Sequence, residues 1–92
     1  MNYSVLVEKA AQKGIKKAPR NVQNKFAIWV NLVESQGLTE VRRIPGFHDE
    51  PLVGKRKGQR SIRLNRAWRA IYRESPGILT LVLVEEVSKH EY

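Results

Sequence analysis

The sequence contains no cysteine, one methionine and no long apolar run. Without cysteine the chain forms no disulfide and no thiolate metal site, which fits a reducing cytoplasm. Its first ten residues, "MNYSVLVEKA", lack the basic stretch and apolar region of a signal peptide. The length of 92 residues suits one domain spanning residues 1–92. We therefore expect a soluble, cytoplasmic, single-domain protein with no membrane partner.

Positive charge is in large excess and concentrated in one region. The chain has 17 Lys and Arg against 9 Asp and Glu, which gives a net charge of +8. Ten of the 17 lie between positions 42 and 73: Arg42, Arg43, Lys55, Arg56, Lys57, Arg60, Arg63, Arg66, Arg69 and Arg73. This imbalance favours a polyanionic partner, most often nucleic acid, over a surface that is merely solvated.

The first third of the chain predicts one strand and two helices. "YSVLV" (3–7) is rich in β-branched and aromatic residues and predicts a strand. Residues 8–18 predict a weak helix interrupted by Gly14. A longer helix follows Pro19 and ends at Gly37, because one of its faces carries apolar residues at spacings of three and four: Val22, Phe26, Trp29, Val30 and Val33.

The rest of the chain predicts a long loop and three strands. Residues 38–58 are broken by Pro and Gly and indicate a loop, and a loop of that length in a small domain is usually functional. Segments 59–65, 68–74 and 78–87 indicate strands, with "SPG" as a turn. The predicted fold is α+β, in the order β-α-α-β-β-β. An antiparallel sheet of about four strands carries both helices on one face, with the first strand at its edge.

The residue types suit cleavage of a ribose-phosphate backbone without metal or cofactor. His48 and His90 are far apart in the sequence, and "GKRKG" lacks the spacing of a phosphate-binding loop. In such a cleavage the 2′-hydroxyl attacks the adjacent phosphate, assisted by a base, cations and an acid. Glu50 is the candidate base. The candidate cations are Lys55, Arg56 and Arg69. The candidate acid is His90 or Tyr92.

Each of these residues also has a purely structural interpretation. Glu50 would then pair with a nearby arginine on the surface, and Arg69 would be an ordinary half-exposed strand residue. Because side chains alternate along a strand, Arg69 should face away from Trp68 and Ala70. A guanidinium on a strand is rigidly placed and can hold a phosphate through two hydrogen bonds.

Nearly the whole chain resembles the RelE superfamily of type II toxin–antitoxin toxins, in particular its RelE/HigB-like and YoeB-like branches. The match is carried by "EPL" (50–52), by "GKRKGQRSIRLNRAWRAIYRE" (54–74) and by the ending "VEEVSKHEY" (84–92). The resemblance implies a ribosome-dependent endoribonuclease that cuts translated mRNA in the ribosomal A site. A cognate antitoxin would neutralise it, and no cofactor is implied.

The resemblance also implies residue roles. Glu50 matches the general base of the YoeB-like pattern, and Arg69 matches its catalytic arginine. His90 and Tyr92 match the His/Tyr-bearing tail, although Glu91 separates them here. RNA contacts are expected from Lys55, Arg56, Lys57, Arg60 and Lys89, and Lys89 is an alternative to His90 as the group facing the phosphate.

Two other functions remain open from the sequence. A ParE-like toxin of the same fold would poison DNA gyrase by binding it without catalysis. A basic module would bind RNA or ribosomes without cutting. "EPL" and the terminal His and Tyr argue against the ParE-like alternative, since a protein that acts by binding has no need of them.

Overall fold

The computed structural model describes residues 2–90 and contains five strands and three α-helices. In chain order these are β1 (Tyr3–Val7), α1 (Lys9–Lys17), α2 (Arg20–Gln36), α3 (Leu38–Val41), β2 (Glu50–Pro51), β3 (Gln59–Arg63), β4 (Trp68–Ser75) and β5 (Thr80–Lys89). Among these residues no helix has the length and apolarity needed to cross a bilayer.

All five strands form one sheet in the order β1-β5-β4-β3-β2. Strands β2 to β5 pair antiparallel, and β1 lies at one edge, parallel to β5. The edge position predicted for β1 and the antiparallel pairing of the last three strands are therefore confirmed. The sheet differs from the prediction in that β1 runs parallel to β5 and β2 adds a further strand. The long apolar strand β5 lies between β1 and β4. An interior position in the sheet is usual for strands that are apolar along their whole length.

The prediction of an unbroken loop over residues 38–58 is wrong. This segment contains α3, two single 3-10 turns at Pro45–Phe47 and Gly54–Arg56, and the two-residue strand β2, which is the fifth strand of the sheet. Elements this short have too few residues to show a period in the sequence. Only pairing with β3 makes Glu50 and Pro51 a strand.

The hydrophobic core lies between the helices and one face of the sheet. Trp29 of α2 packs on Tyr72 of β4 with ring centroids 5.2 Å apart, and both side chains are fully buried. Ala70 and Val84 complete this face of the sheet beneath the helix. Such aromatic pairs add to the stabilisation from burial. The apolar face predicted for α2 is thus the face that contacts the core.

Two glycines have specific steric roles in this packing. Gly37 ends α2 with a φ of 85°, a left-handed backbone that L side chains rarely adopt. Gly14 lies inside α1, which is continuous rather than interrupted there. A Cβ at Gly14 would lie 1.8 Å from the carbonyl oxygen of Val87, so the missing side chain lets α1 approach β5 closely.

We predict that Gly14→Ala destabilises the protein although alanine is the better helix former. In an exposed helix the change would stabilise by about 0.5–1 kcal/mol. Here the added Cβ overlaps Val87 and has to displace α1, and overpacking costs about 1–3 kcal/mol. Urea denaturation would show a lower free energy of unfolding.

Gly46→Ala is the matched control. No atom lies within 4 Å of a Cβ at Gly46, and its φ is not positive. We expect a change of less than about 1 kcal/mol, in the stabilising direction, because alanine restricts the unfolded chain. If Gly14→Ala stabilises as much as this control, the close approach of α1 to β5 is not a constraint.

Candidate active site

The face of the sheet away from the helices carries a cleft of about 490 Å³. Strands β2 to β5 and the end of the described chain supply its walls. Its lining side chains are Glu50, Leu52, Arg56, Ser61, Arg69, Ile71, Glu86, Ser88 and His90. Three residues predicted from the sequence to act in catalysis, Glu50, Arg69 and His90, therefore meet in one cleft. That they carry a reaction stays a prediction.

Glu50 reaches the cleft from β2. Its backbone partner is Ser61 of β3, and directly opposed residues of an antiparallel pair share one face of the sheet. Its carboxylate stays accessible, with 56% of the side chain exposed. Among residues 2–90 the only ionisable side chain within ion-pair distance of it is His48, whose Nε2 is 3.7 Å from Oε2. The carboxylate is thus available to accept a proton.

Arg69 lies opposite Ser88 of β5, on the face of β4 away from Ala70, as predicted from strand alternation. Its Nη1 donates a hydrogen bond to the backbone oxygen of Asn65 at 3.3 Å. No carboxylate within residues 2–90 forms an ion pair with it. A half-buried guanidinium without an acidic partner is available to bind an anion.

The turn between β3 and β4 supports Arg69 and His90 together. The side-chain oxygen of Asn65 accepts hydrogen bonds from the amides of Ala67 and Trp68, both at 2.8 Å, and so fixes the turn. The backbone N–H of His90 donates to the carbonyl of Ala67 at 2.5 Å. Sequence reasoning missed Asn65, although an Asn at a strand-to-strand turn is a usual signal for such side-chain caps.

The structure distinguishes His90 from Lys89. Lys89 is paired with Trp68, which packs on the helix side of the sheet, whereas His90 lines the cleft. In a strand, neighbouring positions face opposite sides. His90 is therefore the better placed of the two to face an anion in the cleft. Tyr92, predicted to act beside it, lies outside the described residues.

A second carboxylate, Glu86, lies in the cleft and was not predicted. Arg56 donates to it at 2.9 Å and the hydroxyl of Ser88 at 2.8 Å. These two hydrogen bonds, from Arg56 first, hold the pKa of Glu86 below its usual range. Glu86 therefore stays ionised and holds Arg56 at the cleft. The sequence signal for this placement is the alternation of side chains along "EEVSKH", which puts Glu86 and Ser88 on the same face as His90.

The other residues predicted to contact RNA lie in two different parts of the structure. Lys55 and Lys57 are exposed in and just after the 3-10 turn at Gly54–Arg56, beside the cleft. Arg60 does not line the cleft. It follows the opposite face of β3, and its Nε donates to Asp49 at 2.6 Å. Its guanidinium is thus engaged within the protein.

Asp49 is buried in a polar network on the helix side of the sheet. Only 1% of its side chain is exposed, and it accepts hydrogen bonds from Arg60 and from the Tyr72 hydroxyl at 2.5 Å. Arg42 extends the network by donating to Tyr72 at 3.4 Å and to Glu74 at 2.9 Å. Burial and the adjacent Asp49 raise the pKa of Tyr72 well above its usual range, so its hydroxyl remains a donor.

The cleft combines an accessible carboxylate, a guanidinium and an imidazole, the groups that proton transfer and anion stabilisation require. Arg56 brings a second guanidinium to the cleft, where it is paired with Glu86. Within residues 2–90 no group of three or more His, Asp or Glu side chains could hold a metal ion.

Searches against protein-family models and curated protein sequences give no match. Solved structures do match. The YoeB/ParE toxin from Agrobacterium tumefaciens superposes with a TM-score of 0.71 at 17% identity, covering 96% of this chain and 99% of that chain. For a chain of the E. coli DinJ-YafQ toxin–antitoxin complex the TM-score is 0.72 at 20% identity, with coverage of 97% and 93%.

A third match is the toxin–antitoxin complex RelBE2 from Mycobacterium tuberculosis, with a TM-score of 0.60, 20% identity and coverage of 97% and 99%. In all three the likeness extends over the sheet and the helices, because almost the full length of both chains is covered. The chain therefore has the fold of the RelE superfamily toxins, as its sequence predicted.

Proposed function

We propose that this protein is the toxin of a toxin–antitoxin pair and cleaves translated mRNA on the ribosome. The observation that carries the proposal is the meeting of Glu50, Arg69 and His90 in one cleft on a fold shared with toxins. These residues come from three separate strands or their ends, so their convergence is not a consequence of sequence proximity.

In the proposed reaction the Glu50 carboxylate takes the proton of a ribose 2′-hydroxyl. The 2′-oxygen attacks the adjacent phosphorus, and the bond from phosphorus to the 5′-oxygen breaks. His90 gives a proton to the departing 5′-oxygen, so the products are a 2′,3′-cyclic phosphate and a 5′-hydroxyl. Proton transfers of this kind contribute about 10²–10⁴-fold each.

Arg69 stabilises the negative charge that develops on the phosphoryl oxygens. It suits this role because a strand fixes its backbone, the Asn65 carbonyl orients its guanidinium and no acid of the described chain neutralises it. Preorganised donors of this kind are worth about 10²–10³-fold each. Tyr92, two residues beyond His90, is proposed to stack on a base or to assist the acid.

The partners follow from the charge distribution. Lys55, Arg56 and Lys57 are proposed to bind the phosphates of mRNA and ribosomal RNA beside the cleft. The ribosome would supply the strained message geometry that so sparse a set of catalytic groups needs. A cognate antitoxin is proposed to cover this basic face, and two of the matched structures are toxin–antitoxin complexes.

The fold alone does not separate this function from gyrase poisoning, since one matched structure is called a YoeB/ParE toxin. The contents of the cleft favour cleavage, because a protein that only binds gyrase requires no accessible carboxylate opposite an unpaired guanidinium. Inhibition of gyrase supercoiling by the purified protein would favour the ParE-like alternative instead.

We predict that Glu50→Ala and Arg69→Ala each abolish toxicity while the protein stays folded. Each removes one group from the cleft, and a loss of about 10²–10⁴-fold in cleavage rate is expected. Two measurements apply: growth after induction without antitoxin, and primer extension on cellular messages with and without a block of translation. New 5′ ends within codons should appear with the wild type and with neither of these two variants.

Glu40→Ala and Arg20→Ala are matched controls, because both residues are exposed on helices, away from the residues that line the cleft. Both should remain fully toxic. Full toxicity of Glu50→Ala and Arg69→Ala would reject the assignment of the site. Equal cleavage of naked and translated RNA would reject dependence on the ribosome.

We further predict that Lys55→Ala with Lys57→Ala weakens ribosome binding but leaves the cleavage rate at saturating ribosomes nearly unchanged. These side chains are exposed beside the cleft and would contact phosphates alone. Each lost contact should reduce the slope of log affinity against log salt by about 0.7–0.9. An unchanged salt slope in a binding titration would remove both lysines from the interface.

A further inference from the structure

Within residues 2–90, Asp49 is the one buried carboxylate next to the cleft that the proposed chemistry does not use. Its side chain is 1% exposed, whereas that of its neighbour Glu50 is 56% exposed. The two residues thus lie on opposite sides of the sheet, one anchored in the core and one open to the cleft.

The Asp49 carboxylate is held firmly because each of its two oxygens accepts a hydrogen bond. Arg60 Nε donates to one oxygen of Asp49 at 2.6 Å, and the Tyr72 hydroxyl donates to the other at 2.5 Å. Hydrogen bonds to an ionised group are shorter and about twice as strong as neutral ones. Tyr72 is itself immobilised, since its ring is fully buried against Trp29.

Apart from the contact of its carboxylate with the exposed His48 at 3.7 Å, Glu50 is held only by short backbone pairing. Strand β2 is two residues long, and a 3-10 turn flanks it on each side. Isolated pairing of so few residues is weak in water. His48, directly before Asp49, adopts a left-handed backbone with φ of 48°, which is uncommon for residues other than glycine. The bonds of Asp49 therefore supply a restraint that the strand pairing lacks.

We propose that Asp49 is a positioning residue, which fixes the Glu50 carboxylate over the cleft by anchoring the chain to Tyr72 and Arg60. The proposal rests on the proposed function, in which Glu50 is the base. Displacement of a reacting group by about 1 Å can cost about 10²-fold in rate. A buried anchor one residue from the base prevents such displacement.

Hydrogen exchange tests the restraint without any assay of activity. The amide of Leu52 donates to Gln59 at 2.9 Å and reports on the pairing of β2 with β3. In Asp49→Ala its exchange should become about tenfold faster or more, by a larger factor than that of β4 amides such as Ala70. Equal or smaller acceleration at Leu52 would mean that Asp49 only contributes global stability, and would overturn the proposal.

A double-mutant cycle tests the route through Glu50. Asp49→Ala should lower the single-turnover cleavage rate on ribosomes by about 10–100-fold, with ribosome affinity nearly unchanged. In the Glu50→Ala background it should have no further effect, because the base is already absent. The same loss in both backgrounds would show a role independent of Glu50 and would overturn the proposal.

Two variants complete the experiment. Asp49→Asn keeps the shape and one acceptor oxygen, so its rate should lie between those of wild type and Asp49→Ala. Glu40→Ala removes an exposed carboxylate and should change neither exchange at Leu52 nor the rate. If the wild type cleaves no RNA on ribosomes, the proposed function fails, while the exchange measurement still decides whether Asp49 anchors β2.

Discussion

The alternation of side chains along β4 is the constraint on which the rest of the structure depends. Ala70 and Tyr72 face the helices and form the core, whereas Arg69 and Ile71 face the cleft. The same backbone is therefore fixed by burial on one side and presents functional groups on the other. A strand held in this way loses little further entropy when it binds a ligand, which suits a site that acts through placement.

Ion pairing within the protein determines which arginine side chains remain available to bind an anion. Arg42, Arg56, Arg60 and Arg73 each form an ion pair with an acid of the chain. Arg69 forms none within residues 2–90 and lines the same cleft as the accessible Glu50 carboxylate. In the proposed function, the excess of positive charge would attract a polyanion from a distance, and the unpaired Arg69 would bind it in the cleft. Long-range attraction of a polyanion and its binding in the cleft would thus be roles of different basic residues.

Much of the fold was predictable because its longer elements carry clear periods. The spacing from Val22 to Val33 indicated the buried face of α2, and the apolar run of β5 indicated a strand inside the sheet. Segment 38–58 was not predictable in this way, because α3, β2 and the 3-10 turns are stabilised by tertiary contacts. The role of Gly14 was not predicted either. A glycine inside a helix lowers helix propensity, and only the position of β5 against α1 shows why a side chain is excluded there.

The sequence by itself determined the residue types of the site, the face of β4 on which Arg69 lies and the excess of positive charge. It did so because alternation and composition are local properties of the chain. Only the tertiary structure decided that Glu50 shares a cleft with Arg69 and His90 and that Arg60 is engaged by Asp49. These residues are 11 or more positions apart in the sequence, and packing and strand register, which no local pattern encodes, bring them together.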